Sequence, residues 1–225
     1  MDDLHLIFIL SMISKHTLPD PPNALTPETY THHITALCAG DPDLAQVVER
    51  HGLPPLWVWE EGFPGLIHTI LGQQVSQASA QAVLDRLKMA ADSLTPKSLL
   101  ALDDETLRRV GLSRQKTRYA RGLAQAVLAG DLDLDRVAAL PNDQVRSALI
   151  ALPGIGPWTA DVFLVMCLRR ADVWPVGDRA LVVATREVKG LRHDPSPAEM
   201  DQIGAAWRPL RAVAARILWH HYLSR

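Results

Sequence analysis

The residues best suited to chemistry lie in the segment 152–161, which reads LPGIGPWTAD. Two glycines one residue apart allow a turn with positive φ and a close backbone approach to a ligand. Pro157 suits the first turn of a helix, where its missing N–H would lack a partner anyway. The amides of Gly154 and Gly156 would then point outward beside the positive end of a helix dipole. That arrangement binds anions such as phosphate; the alternative is an ordinary tight turn between packed helices.

A second chemical candidate is Asp178, which lies 22 residues after Gly156 and directly follows the segment WPVG at 174–177. An aspartate before an apolar helical pattern is typical of an N-cap. A carboxylate at a helix start can also face a substrate, where it would stabilise a developing positive charge. Asp161 and Asp172 are weaker candidates, because a solvated or helix-start position is enough to explain each of them.

The elements that position these residues are predicted to be helices. Thr26-Pro27 and Asp41-Pro42 each pair a capping side chain with a first-turn proline, and the segment 196–199 (SPAE) is a capping box. Apolar residues recur at a spacing of three to four residues over 65–87, 99–110, 116–129, 142–151, 157–170 and 179–188. We therefore expect an all-α fold in two lobes. One lobe comprises residues 66–178 and contains a helix-hairpin-helix at 142–170. The other comprises 26–65 and 179–225, and residues 1–25 are an extension.

Composition narrows the classes of function. Residues 1–64 hold nine acidic and two basic side chains, whereas 65–225 hold 16 acidic and 21 basic ones. This asymmetry favours a basic face on the larger part, although a mixed surface would also produce it. Arg114, Lys116, Arg118 and Arg121, and further on Arg208, Arg211 and Arg216, would contact phosphates or form a solvated face. Cys38 and Cys167 are expected to be buried thiols, as in a reducing cytosol. The apolar stretch near the N-terminus is shorter than a membrane span.

Four ordered segments carry a family resemblance: LPGIGPWTAD, LIHTILGQQVSQASAQAVLDRL, VWPVGDRAL and AWRPLRAVAARILWHHY. Over about residues 30–225 the chain resembles the helix-hairpin-helix DNA glycosylases, most closely the 3-methyladenine DNA glycosylase II family. The resemblance implies an all-α fold with the active site in a cleft between two lobes. It also implies base flipping, excision of alkylated bases, and Asp178 as the catalytic carboxylate.

The resemblance assigns further roles residue by residue. It implies a monovalent cation, Na⁺ or K⁺, on the backbone carbonyls of Ile150, Leu152 and Ile155. It implies that Trp158 and Trp219 line the base pocket. Contacts to DNA would come from Gly154, Ile155, Gly156, Thr159, Gln73, Gln74, Arg114 and Lys116. Within the polar interruption 72–76, Gln74 stands where the family places the wedge that fills the gap left by a flipped base.

Position 158 bears on the mechanism. Relatives that also cut the DNA backbone carry a lysine there, which forms a Schiff base with the sugar, and the Trp158 indole cannot do so. The resemblance therefore implies a monofunctional hydrolase acting on damaged double-stranded DNA, monomeric, away from membranes, in the cytoplasm at the nucleoid. No cofactor is expected to be required. Two cysteines are too few for an iron–sulfur cluster, and the nine histidines lack zinc-ligand spacing. The alternatives are a DNA-binding module without catalysis, a bifunctional glycosylase/lyase, and a helical scaffold that binds protein.

Overall fold

The computed structural model describes residues 24–225, so the extension expected over residues 1–25 falls almost wholly outside the described residues. Within them, the chain is helical, and its one β-type pairing is an isolated bridge between Ala24 and Arg170. The all-α prediction is confirmed. The helices are α1 Pro27–Gly40, α2 Pro42–His51, α3 Gly62–Leu71, α4 Gln77–Ala91, α5 Pro96–Ala101, α6 Asp104–Val110, α7 Arg114–Ala129, α8 Leu134–Ala138, α9 Asn142–Ile150, α10 Pro157–Met166, α11 Arg179–Val188, α12 Pro197–Ala205 and α13 Arg211–Ser224.

Local capping explains where most helices begin. The Thr26 hydroxyl accepts from the Thr29 amide in a reciprocal capping box, and Asp41 accepts from the amides of Asp43 and Leu44. The predicted capping box at Ser196 and Glu199 is also present. These bonds satisfy N–H groups that a helix start otherwise leaves without partners. They join residues two or three positions apart, which is why the sequence predicts them well.

Three predicted helices differ from the structure in extent. The stretch 65–87 is divided into α3 and α4 at 72–76, the polar interruption already noted in the sequence. The stretch 99–110 is divided into α5 and α6 because Asp103 caps a new helix at the Thr106 amide. The stretch 157–170 ends at Met166, since Arg169 adopts φ +56° and the Arg170 amide bonds to the Leu164 carbonyl. The short helix α8 was not predicted.

The described chain forms two compact units. One contains Trp59–Phe163, and the other contains residues 24–58 together with Leu164–Arg225. The boundaries differ from the expected ones at 65/66 and 178/179. One of them falls inside the continuous helix α10, where no change of composition marks it.

Each unit has its own apolar core. In the first, α7 packs against α5 and α3, and buried leucines such as Leu66, Leu99 and Leu123 lie between them. In the second, α13 packs against α11, α2 and α1, and every residue from 212 to 219 is buried. Helix α13 is therefore the central element of its unit. It also carries a fully buried charge, Arg216.

Candidate functional site

The hairpin joins α9 to α10 in the first unit. After α9 ends at Ile150, the Leu152 amide donates to the Leu149 carbonyl (3.1 Å), and the Ile155 amide donates to the Leu152 carbonyl (3.2 Å). The Ala160 amide then donates to the Gly156 carbonyl at the start of α10 (3.0 Å). The predicted helix-hairpin-helix is thus present. Its turn exposes backbone beside the N-terminus of a ten-residue helix, whose dipole favours anions.

The two hairpin glycines have different roles. Gly154 adopts φ +88°, and a Cβ atom placed there would lie 2.2 Å from Cγ of Tyr119. Gly156 lies outside the left-handed region, and a Cβ placed there would meet no atom within 4 Å. The expectation of positive φ is therefore correct for Gly154 and wrong for Gly156. Gly156 precedes Pro157, which restricts it to extended backbone.

Tyr119 is a hairpin neighbour that the sequence did not indicate. It projects from α7, and its hydroxyl accepts a hydrogen bond from the side-chain amide of Gln115 (2.7 Å). The Arg118 guanidinium lies 5.5 Å from the centroid of the Tyr119 ring. Its ring closes against Gly154, so α7 determines the position of the turn. Nothing in the local spacing of α7 links Tyr119 to a segment 35 residues later.

The polar interruption at 72–76 forms a loop between α3 and α4. Gln74 adopts φ +58° and is exposed, and the next side chain, Val75, is 48% exposed. Ser76 ends the loop by capping α4 at the Ser79 amide. The exposed position of Gln74 is compatible with a wedge. The neighbouring exposed apolar side chain of Val75 was not singled out from sequence.

Two of the residues expected to contact DNA, Gln73 and Lys116, form side-chain hydrogen bonds within the protein. The side-chain amide of Gln73 donates through Nε2 to the Gly154 carbonyl (2.8 Å) and to the Thr159 hydroxyl (3.0 Å). The Lys116 ammonium donates to the carbonyls of Leu71 (2.7 Å) and Gln73 (3.0 Å). Partial burial lowers the pKa of Lys116.

The remaining residues expected at the DNA are divided by burial. Thr159 and Ile155 are only 3% and 4% exposed, and the Ile155 amide already donates to the Leu152 carbonyl, so little of either residue is available to DNA in this structure. Arg114 is exposed at the first turn of α7 and lines a groove of about 670 Å³. Asp104 and Glu105 line the same groove, so its charge is mixed.

Asp178 lies in the second unit, where a tight turn and a helix start meet. The Asp178 amide donates to the Pro175 carbonyl (3.2 Å), and Gly177 adopts φ +88°, as the third residue of a type II turn requires. Asp178 Oδ1 accepts from the Leu181 amide (2.9 Å), which confirms the N-cap reading. The same oxygen accepts from the Trp219 indole (3.1 Å), and the side chain is half-buried. The carboxylate is thus held by two donors at the positive end of α11.

The tryptophans are divided between structural positions and candidate pocket positions. Trp174 donates to the Met200 carbonyl (3.1 Å), and Trp207 donates to Asp41 (2.8 Å), so both hold the second unit together. Trp219 is 8% exposed beside Asp178. Trp158 is half-buried in the first turn of α10.

Other candidate groups are engaged in structural contacts. Asp161 is 5% exposed and accepts from Arg146 (2.8 Å), and Asp172 accepts from Arg211 (2.6 Å). Arg216, one of the residues considered for phosphate, is fully buried and donates to the carbonyls of Trp57 (2.7 Å) and Val165 (2.8 Å). A phosphate contact from Arg216 is therefore excluded. Cys167 is buried as expected, whereas Cys38 is only half-buried.

The described residues 24–225 contain neither a candidate metal cluster nor a candidate membrane span. In that range no group of three or more His, Cys, Asp or Glu side chains is arranged to hold a metal ion. None of its helices is both long and apolar enough to cross a bilayer.

The chain is similar to several known proteins. It is 27% identical to DNA-3-methyladenine glycosylase 1 of Schizosaccharomyces pombe over 71% of this chain and 72% of that protein. The crystal structure of a DNA-3-methyladenine glycosidase from Bacillus halodurans superposes with a TM-score of 0.69 at 31% identity, over 83% of this chain and 87% of that one. The S. pombe glycosylase Mag1 in complex with abasic DNA superposes with a TM-score of 0.77 at 25% identity, over 85% and 95%.

One family matches a continuous segment of the chain that contains both the hairpin and the Asp178 turn. Residues 67–209, more than half of the chain, match the family described as HhH-GPD superfamily base excision DNA repair protein. The match includes the 72–76 loop, the hairpin and Asp178, the three features to which the sequence assigned chemistry. This protein therefore belongs to the HhH-GPD superfamily of base excision DNA repair proteins.

Proposed function

We propose that this protein is a monofunctional DNA glycosylase that hydrolyses the N-glycosidic bond of alkylated, 3-methyladenine-type bases, with Asp178 as its catalytic carboxylate. The observation that carries the proposal is the geometry of Asp178. Its carboxylate is half-buried at a helix N-terminus and held by the Leu181 amide and the Trp219 indole. The relatives named as 3-methyladenine glycosylases supply the substrate class.

One carboxylate is sufficient for this chemistry. Breaking the bond between base and deoxyribose develops positive charge on the sugar, and a fixed anion nearby stabilises that charge. Two donors to Oδ1 fix the carboxylate before the substrate arrives, so little reorganisation is needed during the reaction. The same group can orient or deprotonate the water that completes hydrolysis. An alkylated purine already carries positive charge, so it leaves with little help from a general acid.

We expect no lyase activity, because position 158 is a tryptophan and because two lysines, Lys116 and Lys189, already bond to groups of the protein. A Schiff base needs a neutral amine that can reach the sugar, and an indole cannot supply one. Lys116 donates to two carbonyls, and Lys189 is paired with Asp41 and Asp43. Neither amine is therefore presented as a nucleophile.

Aromatic residues suit a cationic leaving base. A cation over an indole face gains about 0.5–2 kcal/mol. Trp158 is half-buried and offers part of its surface to a ligand, whereas Trp219 offers less, because it is 8% exposed. We assign base contact to both, with Trp219 also orienting Asp178.

The hairpin would anchor the DNA. The amides of Gly154 and Gly156 precede the N-terminus of α10 and would bind a phosphate, whereas the Ile155 amide between them is bonded to the Leu152 carbonyl. Gln74 would enter the gap left by the flipped base. The carbonyls of Ile150, Leu152 and Ile155 would hold Na⁺ or K⁺, since carbonyl oxygens suit hard cations, although that of Leu152 already accepts one bond in the turn. Bound to DNA, the protein would act as a monomer in the cytoplasm, at the nucleoid.

The central test replaces Asp178 by asparagine. Asparagine caps a helix as well as aspartate does, so Asp178→Asn keeps the cap and removes only the charge. We expect the single-turnover rate of base release from alkylated duplex DNA to fall about 100-fold or more, with DNA binding retained. Asp133→Asn, at the N-cap of α8, is the matched control and should leave the rate unchanged. Near-normal excision by Asp178→Asn would refute the assignment.

A borohydride trapping experiment distinguishes a monofunctional glycosylase from a bifunctional glycosylase/lyase. The wild-type protein with damaged duplex and borohydride should give no covalent protein–DNA adduct, and intact abasic strand should accumulate until alkali cleaves it. Abundant trapping would assign a lyase instead. Binding of damaged duplex without release of any base would assign a DNA-binding module.

A further inference from the structure

We infer that Gln73 and Lys116 are positioning residues that brace the 72–76 loop against the hairpin, so that base extrusion by the loop depends on this brace. The inference rests on the proposed function. It concerns residues of the first unit only, and it assigns both side chains a role different from direct contact with DNA.

Lys116 holds the end of α3. Its ammonium donates to the Leu71 carbonyl, at the last residue of α3, and to the Gln73 carbonyl inside the loop. A cation there also complements the negative end of the helix dipole. The side chain is half-buried, and the bonds run to residues 45 and 43 positions away in the chain. Lys116 therefore defines where the helix stops and the loop begins.

Gln73 joins the loop to the hairpin. Its amide nitrogen uses both hydrogens: one bonds to the Gly154 carbonyl and the other to the Thr159 hydroxyl. Gly154 is at the tip of the turn, and Thr159 is 3% exposed in α10. The amide thus contacts both the turn and the helix that follows it.

These contacts hold an unfavourable backbone conformation next to the exposed side chains. Gln74 adopts φ +58°, which a residue other than glycine keeps only when its surroundings impose it. The loop is fixed at Leu71 and Gln73 on one side and by the Ser76 cap of α4 on the other. Gln74 and Val75 lie between these points, both exposed.

A direct consequence concerns the step that the brace affects. A loop that fills the gap in the stack acts while the base is being rotated out, and not on a base that is already extrahelical. Loss of the brace should therefore slow reaction of a stacked base and spare an unstacked one. A general structural defect would slow both equally.

The test measures single-turnover release of the same alkylated base from two duplexes. In one duplex the base is paired, and in the other it lies in an unpaired bulge. Lys116→Met and Gln73→Glu should each lose about 10-fold or more on the paired duplex, because a small misplacement of positioning groups has large effects. Losses on the bulge should stay within about 3-fold, as expected when extrusion is bypassed. Lys116→Arg keeps the donors and should lose less than Lys116→Met. The exposed Lys97→Met is the control and should match the wild type on both.

A second readout does not depend on catalysis. With 2-aminopurine next to the lesion, saturating wild-type protein should raise the fluorescence as the stack opens, and the two brace variants should raise it less. Equal losses on both duplexes, or no loss on the paired one, would overturn the inference while leaving the proposed function standing. No base release by the wild type from either duplex would refute the proposed function, and the inference with it.

Discussion

A single methyl group added at Gly154 tests how the hairpin is built. Alanine at φ +88° costs about 1–2 kcal/mol relative to glycine. Its Cβ would also lie 2.2 Å from the Tyr119 ring, and relief of such a clash in a packed site typically costs about 1–3 kcal/mol. We therefore expect Gly154→Ala to lower the free energy of unfolding by about 2–5 kcal/mol. Gly156→Ala should change it by less than about 1 kcal/mol, because neither the backbone nor a neighbour opposes the methyl group.

Urea unfolding followed by circular dichroism measures both variants, and a double-mutant cycle isolates the steric part. Tyr119→Ala removes the ring that the methyl group would strike. The double variant Gly154→Ala/Tyr119→Ala should therefore lose less than the sum of the two single losses, by about 1–3 kcal/mol. Strict additivity would refute the close contact between Gly154 and Tyr119. Equal losses at Gly154 and Gly156 would refute the distinction between the two glycines.

The remaining predictions concern DNA binding, pH and a buried charge. Gly156→Val should weaken binding to damaged and undamaged duplexes alike in a fluorescence titration, because a phosphate contact carries no sequence information; an effect on one lesion alone would contradict it. Burial and, as a smaller cause, the positive charge of Lys88 lower the pKa of His68 from 6.5 to about 4. At a pH between these two values, His68 is therefore protonated in the unfolded chain and neutral in the folded chain. The free energy of unfolding should fall by up to about 3 kcal/mol as pH drops through that window, and His68→Phe should lack this component. Arg216→Ala should lose about 3 kcal/mol or more in urea unfolding, because the carbonyls of Trp57 and Val165 lose a charged donor and a cavity forms around a fully buried side chain. The exposed Arg192→Ala should change stability by less than about 0.5 kcal/mol, and similar losses for the two would contradict the buried role.

The local parts of the site were predictable because their causes are local. Asp178 was expected to cap a helix, and its bond to the Leu181 amide spans three residues. The hairpin was expected from two glycines, a proline and two flanking apolar helices, all within a short segment. The same reasoning failed for Gly156, where the proline that follows determines the backbone.

The parts that could not be predicted depend on distant segments. Gln73 and Thr159 are 86 positions apart, and no periodicity within either segment indicates that their side chains meet. Lys116 belongs to a basic run that is typical of a phosphate-binding face. Only the fold brings it to the end of α3, where backbone carbonyls replace phosphate as its partners. Arg216 is similar, since its charge predicts exposure and tertiary packing buries it against two carbonyls.

The sequence by itself determined the helical class, the helix starts, the hairpin and the residue types on which the proposed chemistry depends. These follow from hydrogen bonds and apolar spacing within a few residues. Tertiary structure alone decided which polar side chains are available to a ligand. Charge and hydrogen-bonding capacity are properties of a residue, whereas the partner that satisfies them is chosen by packing. Trp219, 41 positions beyond Asp178, orients that carboxylate only because α13 packs against α11.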